Sequence, residues 1–169
     1  MKKITLIFSV IFLVGCSGQS ENIDSQSIDK NETFNWRLVT SWPKNYPGLG
    51  MAPERIADLV EEMSDGQMKI TVYGAEEQVP AFGVFDAVSS GSHQMGHSGG
   101  YFWKGKVPAA QFFTSVPFGL TADEINAWVN RGGGLELWRE IYAPFNIILF
   151  QQEIQVHKCL DGLIKKSIL

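Results

Sequence analysis

The chain has 169 residues, a length that allows one domain or two small ones. Apolar residues make up 44% of the sequence and charged residues 19%, a balance that suits a globular core. The net charge of -4 argues against nucleic acid as a partner, because a protein that binds phosphates needs a basic face.

The N-terminus has the features of an export signal. Two lysines precede an apolar stretch from Ile4 to Val14, which is shorter than the about 20 residues that a membrane-spanning helix needs. The following Gly15-Cys16 completes the sequence LVGC, which resembles a bacterial lipobox and implies a lipid on the Cys16 thiol. We therefore expect a signal peptide at residues 1–15 and a lipidated, flexible tether at residues 16–34. A plain signal or a membrane anchor is the alternative.

Apolar periodicity then predicts alternating strands and helices. The predicted strands are Trp36–Trp42, Lys69–Tyr73, Gln94–His97 and Ile147–Phe150. The predicted helices are Ala52–Ser64, Ala81–Ser89, a helix that opens with a capping box at Thr121–Glu124, and Leu135–Tyr142. This order predicts an α/β fold with a parallel sheet and helices on both faces. Ligands of such sheets bind at the carboxyl ends of the strands.

The sequence HSGGYFWKGKVPA, which begins at His97, follows one of these strand ends. Its two glycines allow a close approach of the backbone. Tyr101 offers a phenol, and Phe102 and Trp103 offer apolar walls, a combination typical of small-ligand pockets. Three adjacent aromatic residues cannot all face one way, so we expect at least one of them to pack in the core.

Two histidines raise the alternative of a metal enzyme or hydrolase. His93 and His97 are four residues apart, but no glutamate lies between them, and a zinc site needs three or four ligands. The sequence also contains no Gly-x-Ser-x-Gly elbow and no P-loop. We therefore expect neither a metal site nor catalytic activity, and we interpret both histidines as surface or core residues.

Four segments, in order, carry a resemblance to a known family: TSWP, GAEEQVPAFGVFDAVSSG, QMGHSGGYFWKGKVPA and VPFGLTADE. Residues 35–150 resemble the substrate-binding proteins of tripartite ATP-independent periplasmic (TRAP) transporters. The resemblance implies a periplasmic-binding-protein-like fold of two α/β domains with the ligand between them, of which this chain holds the first. The segment GYFWKGK is similar to the branch that binds 2-oxo acids or hydroxy acids such as lactate.

The resemblance implies a receptor, lipid-anchored outside the cytoplasmic membrane, that captures a small carboxylate and delivers it to permease subunits. The ligand-binding residues that it suggests are Trp42, Gln78, Tyr101, Phe102 and Trp103, and core packing is the alternative for each. It implies no cofactor. The full-length family admits a metal ion beside the carboxylate, for which this chain gives no support. A short envelope lipoprotein that interacts with other proteins is the alternative function.

The segment after Phe150 departs from the family pattern. Family members continue here with a sequence of the type AGNTGxQMxGWF. With suitably chosen synonymous codons, residues 151–168 read in another frame as AGNTGAQMFGWFNKKEY. We therefore expect that one base is missing after the Phe150 codon and that residues 151–169 are translated out of frame. Without a second domain, which carries the family's ligand-binding arginine, the chain is expected not to bind the acid.

Overall fold

The structure is a computed structural model, and it describes residues 32–114, 116–155 and 158–166. The predicted signal peptide, the lipidation site Cys16 and most of the tether lie outside the described residues. The described strands are β1 Phe34–Thr40, β2 Met68–Tyr73, β3 Met95–Ser98, β4 Ile147–Gln155 and β5 Lys158–Lys165. The α-helices are α1 Met51–Met63, α2 Val84–Ser90, α3 Ala122–Arg131 and α4 Gly134–Tyr142. Short 3₁₀ helices cover Ala81–Gly83, Gly100–Trp103, Pro108–Phe113 and Ala143–Phe145.

The strands form one mixed sheet in the order β2-β1-β3-β5-β4. The predicted parallel pairing is found between β1 and its neighbours β2 and β3. β5, which the sequence did not predict, lies between β3 and β4 and is antiparallel to both. Only residues 156 and 157 separate β4 from β5, and a connection that short permits antiparallel pairing only. The expectation of an all-parallel sheet is corrected accordingly.

Helices cover both faces of the sheet, as predicted. Successive side chains of a strand point to opposite faces, and β1 shows this with two buried neighbours. Leu38 packs with Ala57 of α1, whereas Val39 packs with Val84 and Ala87 of α2. We call the face that Leu38 contacts the α1 face and the face that Val39 contacts the α2 face. In the described ranges, no helix is both long and apolar enough to cross a membrane.

Gly96 on β3 allows α2 to approach the sheet closely. A Cβ atom at this position would lie 2.8 Å from methyl groups of both Val84 and Val88. Real Cβ atoms do not approach heavy atoms so closely, so a larger residue here would displace the helix. This contact places α2, and the turn that precedes it, over the end of β3.

The largest core cluster joins α3 and α4 to β4 and β5. Trp138 stacks on Phe113 at a centroid distance of 4.9 Å and an interplanar angle of 11°, and Leu163 of β5 belongs to the same cluster. The predicted capping box of α3 is confirmed. Thr121 Oγ1 accepts from the Glu124 backbone N–H at 3.4 Å, and the Glu124 carboxylate accepts from the Thr121 backbone N–H at 2.8 Å.

Candidate ligand-binding site

The carboxyl ends of β1, β2 and β3 are tied together by backbone hydrogen bonds. The Ser41 N–H donates to the His97 carbonyl at 3.1 Å, and the Ala75 N–H donates to the Trp42 carbonyl at 2.9 Å. The loop after β2 is fixed further by the Glu77 carboxylate, which accepts from the Gly74 N–H at 3.1 Å. The sequence placed candidate ligand contacts on the loops that follow β1, β2 and β3. The structure brings these three loops together at the carboxyl-terminal end of the strands.

Four aromatic side chains, Trp42, Phe82, Tyr101 and Phe102, meet at this end of the strands and are called the aromatic cluster. Phe102 is its centre. Its ring lies 6.1 Å from Trp42, 5.0 Å from Phe82 and 4.5 Å from Tyr101, measured between centroids. The rings of Phe82 and Tyr101 meet Phe102 edge to face, a favoured geometry for aromatic pairs.

Phe82 is a member of the cluster that the sequence reasoning missed. The sequence predicted one helix over Ala81–Ser89, but the structure begins it with a 3₁₀ turn at Ala81–Gly83. The Phe82 side chain is 69% exposed, although it contacts Phe102. A large aromatic residue that stays this exposed beside other aromatic rings is typical of a binding surface. The position of Phe82 just after the loop that follows β2 could have identified it.

Tyr101 folds back over the end of β3, and Gly99 makes this conformation accessible. A Cβ atom at Gly99 would lie 2.6 Å from the Tyr101 ring and 3.0 Å from its hydroxyl oxygen. The sequence predicted that the two glycines allow a close approach to the backbone. The group that approaches Gly99 is the side chain of Tyr101, a member of the aromatic cluster. The position of the phenol therefore depends on the absence of a side chain at Gly99.

Trp103 is buried in the core, and Gln78 is exposed on a loop. The Trp103 side chain is 4% exposed and belongs to the largest core cluster. Its indole N–H donates to the Tyr142 hydroxyl at 2.6 Å. Gln78 is exposed in the loop between β2 and α2. The three adjacent aromatic residues therefore divide, with Tyr101 and Phe102 in the cluster and Trp103 packed beneath it.

Two buried polar pairs link the ends of β1 and β3, one on each face of the sheet. On the α1 face, Thr40 Oγ1 lies 3.0 Å from His97 Nδ1. On the α2 face, the Ser41 and Ser98 hydroxyls are 2.5 Å apart. The Ser41 hydroxyl also donates to the Ala81 carbonyl at 2.6 Å. Since Ala81 precedes Phe82, this last bond fixes the turn that carries the exposed ring.

The two histidines occupy different environments. His97 is fully buried, and this burial lowers its pKa from the usual 6.5 to about 3, so its imidazole is neutral at pH 7. His93 lies before β3, where burial and the nearby Arg37 charge lower its pKa as well. Its Nδ1 faces the Ser92 hydroxyl at 3.1 Å, whereas that of His97 faces Thr40.

Two lysines near these loops are engaged in ion pairs. Lys44 pairs with Glu77 at 3.4 Å, and Lys106 pairs with Asp86. Within the described ranges, no group of three or more His, Cys, Asp or Glu side chains is arranged to hold a metal ion. This part of the chain offers a ligand an aromatic surface that includes the side chain of Tyr101.

Comparison with known proteins identifies the family. Residues 38–153 match the family model for DctP, bacterial extracellular solute-binding protein family 7. The chain is also 48% identical over 115 residues to the monocarboxylate 2-oxoacid-binding periplasmic protein of a Nostoc species, with 68% of this chain and 31% of that protein covered. Proteins of this family are solute receptors and not enzymes, which confirms the expectation that the chain has no catalytic activity.

Solved structures agree. A TRAP periplasmic solute-binding protein from Pseudoalteromonas atlantica, with bound sodium and pyruvate, is 46% identical at a TM-score of 0.69, covering 71% of this chain and 36% of its own. A second, from Colwellia psychrerythraea with bound calcium and pyruvate, is 42% identical at a TM-score of 0.69, covering 71% and 37%. The chain thus spans about a third of the length of these relatives. It belongs to the DctP family of extracellular solute-binding proteins, whose members act outside the cytoplasm.

Proposed function

We propose that the chain is the first domain of a TRAP-type receptor for a small monocarboxylate of the pyruvate or lactate type. The observation that carries this proposal is the aromatic cluster at the joined carboxyl ends of β1, β2 and β3, where α/β sheets bind their ligands. The names of the relatives support the ligand class, since they include a 2-oxoacid-binding protein and two pyruvate complexes.

Each site residue has a role in this proposal. Tyr101 donates its phenolic hydrogen to an oxygen of the acid, and Gln78 lies at the mouth of the cleft. Trp42 and Phe102 form the wall against which the alkyl group rests, and Phe82 extends that wall. Trp103 was expected to touch the ligand, and from its place in the core it acts through packing beneath Phe102.

The aromatic wall favours monocarboxylates over dicarboxylates. A second carboxylate on the ligand would lose its hydration against Trp42 and Phe102, and an unpaired buried charge is costly. Two lysines of the neighbouring loops, Lys44 and Lys106, are already paired with Glu77 and Asp86. The single carboxylate is held from the opposite side of the cleft, where the TRAP resemblance places an arginine, and bidentate arginine suits that group.

Two of the related structures contain a bound metal ion as well as pyruvate. Among the described residues, no three His, Cys, Asp and Glu side chains converge on one point, although hard cations such as calcium also bind backbone carbonyl and side-chain amide oxygens. We assign no metal-dependent step to these residues.

The receptor works by domain closure around the acid, a hinge motion that the permease subunits recognise. Half of the cleft belongs to the second domain. The 169-residue chain is therefore expected to show no measurable binding of pyruvate or lactate.

Isothermal titration calorimetry tests this proposal. The titration compares the 169-residue chain with the longer protein obtained when one base is restored after the Phe150 codon. We expect pyruvate binding by the longer protein only, and weak or no binding of succinate. Micromolar affinity of the short chain would contradict the proposal, as would the absence of pyruvate binding by the longer protein.

Two further proposals concern the ends of the chain. We propose that Cys16 is lipidated and anchors the receptor to the membrane, which metabolic labelling with a radioactive fatty acid tests against a Cys16→Ser control. We also propose that residues 151–169 are translated out of frame. The match to the family ends at residue 153, so β5 lies beyond it, and the alternative frame restores the sequence type of the family.

One observation favours a second candidate, a short envelope lipoprotein that functions at this length. β5 is paired on both sides, and Leu163 is fully buried, so the tail is integrated into the sheet. This candidate requires that the tail helps the chain to fold and that the partner is another protein. It becomes the leading function if the longer protein binds no carboxylate.

A further inference from the structure

Three residues at the end of β1 and β3 form a closed set of contacts. Thr40 and His97 are partners in the register of the two strands. The Thr40 hydroxyl oxygen lies 3.0 Å from His97 Nδ1 and also accepts from the Trp42 backbone N–H at 3.3 Å. The His97 and Trp42 rings lie 4.9 Å apart at an angle of 47°. Each residue therefore contacts the other two.

The hydrogen bonds of Thr40 favour one tautomer of His97. A hydroxyl has one hydrogen to donate and can accept two hydrogen bonds. Thr40 Oγ1 accepts from the Trp42 backbone N–H, and because Thr40 is buried, its own hydrogen needs an acceptor. Among the described contacts of this hydroxyl, only His97 Nδ1 can accept that hydrogen, so we infer that Thr40 donates to Nδ1. Nδ1 is then the acceptor of the ring, and the single proton of the neutral imidazole is on Nε2.

The Nε2–H that results is buried, and it has no hydrogen-bond partner within the described part of the chain. Such an orphaned donor costs free energy, and in a native structure it calls for an explanation. The ring that lies against this imidazole is the indole of Trp42. An N–H group can donate a weak hydrogen bond to an aromatic face, and such a bond to the indole would satisfy this donor.

We propose that Thr40 and His97 are positioning residues that hold the Trp42 indole as the wall of the binding site. Thr40 fixes the Trp42 backbone and the His97 tautomer, and the His97 ring packs against the indole. Because neither Thr40 nor His97 is charged at pH 7, the pair orients the indole without attracting the carboxylate of the ligand towards it. Only the consequence for ligand affinity rests on the proposed function, because the three contacts exist without a ligand.

The first test is the tautomer in the 169-residue chain. Long-range proton–nitrogen NMR correlations distinguish a protonated ring nitrogen from an unprotonated one. We expect protonation at His97 Nε2 only, near neutral pH. A proton on Nδ1 would overturn the proposal. This measurement needs no variant and no ligand, so its result does not depend on whether the receptor binds pyruvate.

The second test uses His97→Leu and Thr40→Val, with His93→Leu as the matched control. His93 is also a buried histidine with an unpartnered Nε2, but its ring faces Tyr73 at 6.5 Å. We expect the first two variants to shift the Trp42 indole N–H resonance and the control to leave it in place. An unmoved Trp42 resonance in a folded His97→Leu or Thr40→Val variant, or the same shift in His93→Leu, would overturn the proposal.

The third test is a double-mutant cycle for pyruvate affinity in the frame-restored protein. His97→Leu should weaken binding by roughly two- to tenfold, the effect of one lost net hydrogen bond. In a Trp42→Ala background the same change should have little further effect, because His97 acts through Trp42. Equal losses in both backgrounds would overturn the positioning role. A wild-type receptor that binds no pyruvate would contradict the proposed function, while the NMR tests still decide the role of His97.

Discussion

The two halves of the sheet differ in how they relate to the family. The parallel half, β2-β1-β3, lies mostly within the family match and carries both polar pairs and the ends on which the aromatic cluster is built. The antiparallel half contains β5, which lies beyond the matched residues and yet fills the position between β3 and β4. Backbone pairing and the buried Leu163 integrate β5 into the sheet, whereas a binding site needs a specific set of side chains.

Two matched leucine substitutions test this comparison most strongly. Leu38 of β1 is 1% exposed and Leu163 of β5 is 0% exposed. Replacing either by alanine removes the same atoms, and we expect each change to lower the free energy of unfolding by about 2–5 kcal/mol. Urea unfolding followed by circular dichroism measures both losses.

The two losses together show whether β5 is part of the folded sheet. If Leu163→Ala unfolds like the wild type while Leu38→Ala is destabilised, β5 does not occupy its place in the sheet. The antiparallel half would then be a loosely attached segment. Equal losses would show that β5 is held as firmly as the family strands.

The pH dependence of stability tests the buried polar pair of the parallel half. Burial lowers the His97 pKa from 6.5 to about 3, so between these values the unfolded chain binds a proton that the folded chain does not. Stability should therefore fall as pH decreases from 6.5 towards 3, by about 1.4 kcal/mol per pH unit from this group. His93 contributes in the same direction, since its pKa is also lowered.

The control is His97→Leu, which removes the titrating group. Denaturant unfolding at several pH values between 4 and 7 should give a shallower slope for this variant than for the wild type. Equal slopes would mean that His97 is accessible to protons in the folded chain. The buried Thr40–His97 pair would then not be formed as described.

The smallest effect is expected at the capping box of α3, which packs against the antiparallel half. Thr121→Ala removes the acceptor for the Glu124 backbone N–H and should cost about 1 kcal/mol. Hydrogen bonds from Thr121 lower the Glu124 pKa, and the variant should raise it again. Thermal unfolding and a carboxyl NMR titration measure the two changes, with Thr114→Ala as a control outside this helix. An unchanged Glu124 pKa would contradict the cap.

Much of the fold could be predicted from local patterns. The strands β1 to β3, the helices α1, α3 and α4 and the capping box follow from apolar periodicity and from residues with known terminal preferences. β5 could not be predicted in this way, because its place depends on pairing with β3, which is 60 residues or more away in the sequence. The start of α2 was misplaced because a 3₁₀ turn and an α-helix have similar sequence patterns.

The candidate site was predicted in part. Its position at the strand ends follows from the order of the elements, and Trp42, Tyr101 and Phe102 do come together there. Phe82 was missed because its contact with Phe102 is tertiary. The contact of His97 with Thr40 was also missed, because a strand residue gives no sign of its partner until the strand register is known.

The gene sequence across the codons for Ala143 to Leu169 tests most directly whether the two halves have different origins. We expect codons that read AGNTGAQMFGWFNKKEY in the alternative frame, with that frame open downstream or an additional C after the Phe150 codon. Codons at Cys159, Leu160 and Asp161 that do not permit this reading would contradict the out-of-frame origin of residues 151–169. β5 would then be an original part of a short lipoprotein.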